Sequence, residues 1–148
     1  MSENLIPVIV IDTQLVLRVA LNERSLPAKI FFNYGHLYIL AVSPGIRAEV
    51  EDVLTRPSIR SKFTSITDES VSRVLSILDA GQQVISEEVP AVSRDPKDDI
   101  FLATAVLSGA QYLVSEDKDL LVLNPHQGIR ILNAFEFLNI IHPLQATE

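Results

Sequence analysis

The chemistry this chain offers most plainly is that of carboxylates set at the borders of apolar segments. Asp12 directly follows VIVI, and Glu49 lies within IRAEVEDVL. Asp95, Asp98 and Asp99 precede IFLATAVLSGA, while Asp117 and Asp119 fall within YLVSEDKDLL. The chain has no Cys, so thiolate sites are excluded, and hard oxygen ligands alone point to Mg²⁺ or Mn²⁺ rather than zinc. Divalent ions paired about 3.5–4 Å apart can activate a water and stabilise both oxygens of an in-line phosphoryl displacement.

Each acid also has a plainer role open to it. Asp12 can cap a helix beginning near Leu15. Glu49 can sit at the edge of an amphipathic helix, on whose apolar face Ile46, Val50, Val53 and Leu54 fall together. At about 100° per residue, Glu49 lies nearer the centre of that face than Glu51 or Asp52, which point outward. One acid at a helix N-terminus is favoured by the dipole alone. Three before a nearly all-apolar helix exceed that need, and they repel one another unless a cation is present. Asp117 and Asp119 suit a polar turn that Ser115 could cap. Other constellations are absent: His36, His126 and His142 are scattered without ligand spacing, there is no nucleophile elbow or phosphate-binding glycine loop, and basic and aromatic residues are not interleaved.

The elements that must position these acids alternate between short apolar strands and helices. Strands are predicted at Leu5 to Ile11, Leu37 to Val42, Gln83 to Ile85, Gln111 to Val114 and Ile129 to Leu132. Helices are predicted from Leu15 to Asn22, from Ser25 to Tyr34, from Ser43-Pro44 to Arg56, and from Thr67 or Asp68 to Ala80. Further ones follow at Asp99 to Ser108, closed by Gly109, at Asp117 to Leu121, and at Ala134 to Ile140. The alternation implies βαβ units around a parallel sheet, where sites form at the carboxyl ends of strands. Asp12, the segment Ser43 to Glu49, and the segment Ser115 to Asp119 all follow a predicted strand. The Asp98 region opens a helix instead.

The 148 residues fit one domain, and 47% hydrophobic content is enough for a core. The formal charge of −7 argues against broad nonspecific binding to nucleic acid but leaves a local site open. The N-terminal apolar run is broken by Pro7 and Asp12 and has no basic flank, so neither a signal peptide nor a membrane span is expected. A cytoplasmic protein is expected.

The order VIVIDTQ, then VSPGIRAEVEDVLTRP, then SRDPKDDIFLATAVLSGAQYLVSEDKDLL resembles the PIN-domain family, most of all the VapC-like toxin components of bacterial type II toxin–antitoxin pairs. The resemblance covers nearly the whole chain, and its most specific stretch is Arg94 to Leu121. It implies a single domain over 1–148 with a PIN-like α/β fold, a central parallel β-sheet flanked by α-helices. It further implies a Mg²⁺- or Mn²⁺-dependent endoribonuclease, an antitoxin partner and a homodimer. The family's acids fall on Asp12, Glu49, Asp98 and Asp117, with Thr13 and Ser115 in support. Counting back from Gly109-Ala110 selects Asp98 without a gap, whereas counting from Leu102-Ala103 admits Asp99; Asp98 is preferred, and Asp99 and Asp119 are secondary candidates. Gln14 replaces the family's frequent Asn, and Glu116 its usual Gly.

The expected activity is hydrolysis of single-stranded RNA, with Arg18, Arg47 and Arg94 as candidate phosphate contacts. One rival is a PIN-fold interaction module without catalysis, favoured by Gln14 and Glu116. Another is a phosphatase-like or response-regulator-like protein, which needs a Lys at a later strand end that the sequence does not offer.

Overall fold

The computed structural model describes residues 6–85 and 98–146, the last five of these through the backbone alone. Five parallel strands form one sheet: β1 (Val8–Ile11), β2 (Ile39–Val42), β3 (Gln82–Gln83), β4 (Tyr112–Val114) and β5 (Arg130–Leu132), in the order β3-β2-β1-β4-β5. This is the α/β architecture expected, with helices flanking the sheet. The central strand is the most apolar, and Ile9, Val10 and Ile11 are all buried. Its register pairs Ile9 with Leu40 on one side and with Tyr112 on the other.

The strand order reverses at the β1/β4 boundary. The chain moves outward from β1 to β2 and β3, then returns to the other side of β1 for β4 and β5. Connections leaving the two central strands therefore diverge to opposite sides and open a crevice beyond their carboxyl ends. Asp12 and Ser115 are the first residues past β1 and β4, so the topology alone carries them to that crevice.

The helices are α1 (Thr13–Leu21), α2 (Leu26–Ala28), α3 (Pro44–Thr55), α4 (Pro57–Lys62), α5 (Asp68–Asp79), α6 (Asp99–Ser108), α7 (Lys118–Leu121) and α8 (Ala134–Ala146). Helix α3 starts as its sequence requires: the Ser43 side chain accepts from Ile46 N and Pro44 occupies the first turn. Helix α6 buries Phe101, Leu102, Ala103 and Ala105 against the sheet and α3, and Gly109 closes it at φ 71°, where a side chain would be strained. Its buried Thr104 hydroxyl donates to Ile100 O and contacts the Ser43 hydroxyl, tying α6 to the start of α3. Gly45 makes room for that approach, since a Cβ there would lie 2.1 Å from Ile100 Cδ1.

Two expectations need correction. The single helix from Ser25 to Tyr34 is broken. Ser25 caps it as expected, but α2 passes into a π-helical turn at Lys29–Asn33 and then a 3-10 turn at Gly35–Leu37, which shortens β2 to begin at Ile39. The aromatic and β-branched run IFFNY buries Ile30 and Phe31 while leaving Phe32 partly exposed, a pattern tertiary packing imposes over helix propensity. Helix α4 was not anticipated. Pro57 ends α3 but also serves as the first residue of a new helix, and Arg56 carries both junctions. No helix among the described residues is long and apolar enough to cross a membrane.

Candidate metal centre

Asp12 is positioned twice. It is the N-cap of α1, with Oδ1 accepting from Leu15 N at 2.9 Å, and its Oδ2 accepts a short hydrogen bond from the Ser115 hydroxyl. The carboxyl is buried, and burial pushes its pKa up to about 6 despite the bonds from Ser115 and Leu15; the charges of Asp117 and Glu116 push the same way. Ser115 is fully buried and also accepts from Asp117 N at 2.9 Å, so one hydroxyl bridges the ends of β1 and β4. Asp117 caps α7, its Oδ1 accepting from Asp119 N at 2.9 Å.

Glu49 enters from the middle of α3. It is half-buried, as its place on the helix face requires, and its Oε2 accepts from the Thr13 hydroxyl. Thr13 thereby joins the first turn of α1 to α3. Asp98 is the residue before α6; it is buried, and its side chain makes no capping bond to that helix. Asp99 is buried as well.

Asp12, Glu49, Asp98 and Asp117 all line one cleft of about 340 Å³, with Thr13 and Gln14 beside them. Asp98, Asp117 and Asp119 each place a carboxylate oxygen within 4.8 Å of the other two. Oxygens bound at about 2.1 Å on opposite sides of an octahedral ion are separated by about 4.2 Å, so this trio is close to the size such an ion needs. The donor set is entirely carboxylate, and no ion pair among the described residues falls on Asp12, Glu49 or Asp117. The residues present therefore fit a divalent cation.

Asp12 and Glu49 stand outside that trio, and Asp99 is not among the cleft-lining residues. Glu116 directs its Oε2 to Ala134 N at the start of α8, a capping role the sequence did not reveal. Among the phosphate contacts expected, Arg47 is bonded to both Asp79 and Glu51, Arg18 is exposed and does not line the cleft, and Arg94 lies outside the described residues, as do Asp95 and Leu5. The residues sequence reasoning missed are Asp52 and Arg56, which line the cleft from the end of α3. Their i,i+4 spacing was the available signal.

A family model for the PIN domain matches residues 8–119, from the start of β1 into α7. The chain belongs to the PIN-domain family. This membership points to nuclease chemistry in general, and PIN nucleases typically use divalent metals, in keeping with the acidic cluster in the cleft. No curated protein matches the chain.

Proposed function

We propose that this PIN-domain protein is an endoribonuclease that hydrolyses single-stranded RNA with Mg²⁺ or Mn²⁺, and that it acts as the toxin of a toxin–antitoxin pair. What supports the nuclease reading is the convergence of Asp12, Glu49, Asp98 and Asp117 on one cleft at the reversal point of the sheet. In this reading those four residues hold the metal, with Asp119 beside them. A bound divalent ion would supply Lewis-acid activation of water and charge neutralisation at the phosphodiester.

The protein's own part is positioning. Ser115 holds the Asp12 carboxylate and the Asp117 backbone in one arrangement, and Thr13 does the same for Glu49. These hydroxyls are pre-set by buried strand ends, so little reorganisation is needed when ligands arrive. A flexible single strand fits an open cleft better than a stiff duplex, because in-line attack requires the backbone to turn. An antitoxin would cover the cleft and bring a cation to its carboxylates, for which a planar, bidentate Arg is suited. The chain is proposed to act as a homodimer.

The deciding experiment is cleavage of a fluorescent single-stranded RNA by pure protein. Mn²⁺ should support cleavage, EDTA should stop it, and Asp12→Asn should remove it. Cleavage that survives both treatments would refute the reading. The toxin role has its own test: expression without the neighbouring gene should arrest growth, and the Asp12→Asn variant should not.

A further inference from the structure

We propose that Arg56 is the phosphate-gripping residue of the cleft, held in reserve by Asp52 until RNA displaces it. This inference rests on the nuclease reading above and concerns how substrate is bound there.

Arg56 is the one cation lining the cleft among the described residues. Its backbone is fixed from both sides. It ends α3 with its N–H on Val53 O, and its own carbonyl accepts from Ile59 N and Arg60 N, each at 2.9 Å, at the start of α4. The residue before a proline is confined to extended backbone, and Arg56 sits at φ −64°, ψ 126°. The guanidinium is thus anchored at the rim while remaining about half exposed.

Among the described residues its one side-chain bond is from Nη2 to Asp52 Oδ2 at 2.6 Å, which leaves Nε and Nη1 to donate elsewhere. Asp52 is itself 70% exposed, so the pair is solvent-screened and weak. A phosphodiester offers the same planar fork two acceptor oxygens, where Asp52 engages one nitrogen. Among the described residues the other arginines with side-chain partners are spent differently: Arg47 on Asp79 and Glu51, Arg60 on Ile66 O and Asp68, Arg73 on Glu23 and the Phe32 ring, Arg130 on the Tyr112 ring. An acidic cleft must still hold a polyanion, and Arg56 supplies positive charge at its edge without touching the carboxylates that fit the metal. Asp52 keeps the guanidinium extended along the rim and competes with the incoming strand.

The test is steady-state cleavage of single-stranded RNA in Mn²⁺ across a salt series. Arg56→Ala should raise KM about tenfold, with a smaller loss in kcat. The slope of log KM against log salt should fall by about 0.7, the contribution of one phosphate contact on a single strand. Arg56→Lys should keep that slope but recover only part of KM, because it retains the charge without the fork. Asp52→Asn should lower KM, and the gain should vanish in the double variant. Mn²⁺-induced stabilisation should stay at the wild-type value in Arg56→Ala, which separates substrate binding from metal binding. Wild-type KM and salt slope in an actively cleaving Arg56→Ala would overturn the proposal alone. Failure of the wild type to cleave RNA in Mn²⁺ would overturn the nuclease reading, and this one with it.

Discussion

Helix α3 carries two kinds of acid on two faces. On the cleft side, Glu49 accepts from a hydroxyl, that of Thr13. On the outer side, Glu51 shares Arg47 with Asp79, while Asp52, which lines the cleft near the end of α3, is paired with Arg56. A similar contrast separates two of the site's acids from two on the surface. Asp12 and Asp117 take their hydrogen bonds from Ser115 and backbone amides, whereas the surface acids Glu23 and Asp68 take theirs from arginines. A hydroxyl or amide orients a carboxylate without cancelling its charge, and a guanidinium does both. The cleft therefore keeps its negative charge in fixed directions. The cost is visible at Asp12, whose carboxyl is driven up to about 6 by burial.

The sharpest break in that comparison is at the Asp98–Asp99 pair. Both are buried and adjacent in sequence, but only Asp98 lines the cleft and joins the oxygen trio with Asp117 and Asp119. Asp98→Asn is expected to reduce Mn²⁺-dependent cleavage by about a thousandfold or more, in the range lost when transition-state charge stabilisation is removed. Asp99→Asn is expected to keep most activity, with its effect seen in thermal stability. Reversed phenotypes in the same assay would shift the site by one residue.

Removing the neutral donor comes next in size. Ser115→Ala leaves Asp12 Oδ2 and Asp117 N without their shared partner in a fully buried place, at a cost of about 1–3 kcal/mol by denaturant titration. The Ser115 bond also holds the Asp12 pKa down, so its loss raises that pKa further. The pH at which Mn²⁺ binding is half complete should move upward in this variant. A variant that merely loosens packing would leave that midpoint in place.

Asp12→Asn tests the cost itself. The folded-state pKa of about 6 lies above the ordinary 3.8, so the folded protein binds the proton more tightly than the unfolded chain. The stability this group contributes is full below about pH 4 and is lost as pH rises to about 6. A shift of about two units corresponds to about 3 kcal/mol at most, before the altered bonds to Ser115 and Leu15 are counted. Without metal, the Asn variant should match or exceed the wild type above pH 6 and lose that advantage near pH 4. Millimolar Mn²⁺ should reverse the order at pH 7, since a ligand that binds the folded state alone stabilises it. Equal melting temperatures at every pH would mean that Asp12 carries no burial penalty.

Much of this arrangement was legible in the sequence because it follows from position along the chain. Asp12 comes directly after β1 and Asp117 three residues past the end of β4, and a parallel sheet sends such residues to one edge. Glu49 was legible from helical periodicity. What the sequence hid depended on tertiary partners. The rim role of Arg56 arises because Pro57 starts a second helix instead of a loop, so the guanidinium is held where α3 meets α4. Glu116 read as a departure from the family pattern that favoured a module without catalysis, whereas its carboxylate caps α8, a helix whose start is 18 residues further on. Arg47 read as one of three candidate phosphate contacts, but α5 packs alongside α3 and supplies Asp79.

Arg47 gives the smallest expected effect and the cleanest control for the comparison. It donates from Nε to Asp79 Oδ1 at 2.8 Å and from Nη1 to Glu51 Oε1 at 2.7 Å, and it holds the Asp79 carboxyl below the usual carboxylate range. All three groups are at the surface, where solvent and salt screen such pairs and ordering two long side chains offsets most of the attraction. Arg47→Ala should leave the melting temperature unchanged within error at physiological salt. Its KM for RNA and the salt dependence of that KM should also match the wild type, in contrast to Arg56→Ala, although the two arginines flank the same helix. A raised KM in Arg47→Ala would place the outer face of α3 in the RNA path. The distinction between neutralised and hydroxyl-held acids would then describe the resting protein alone, with both rim arginines released when substrate binds.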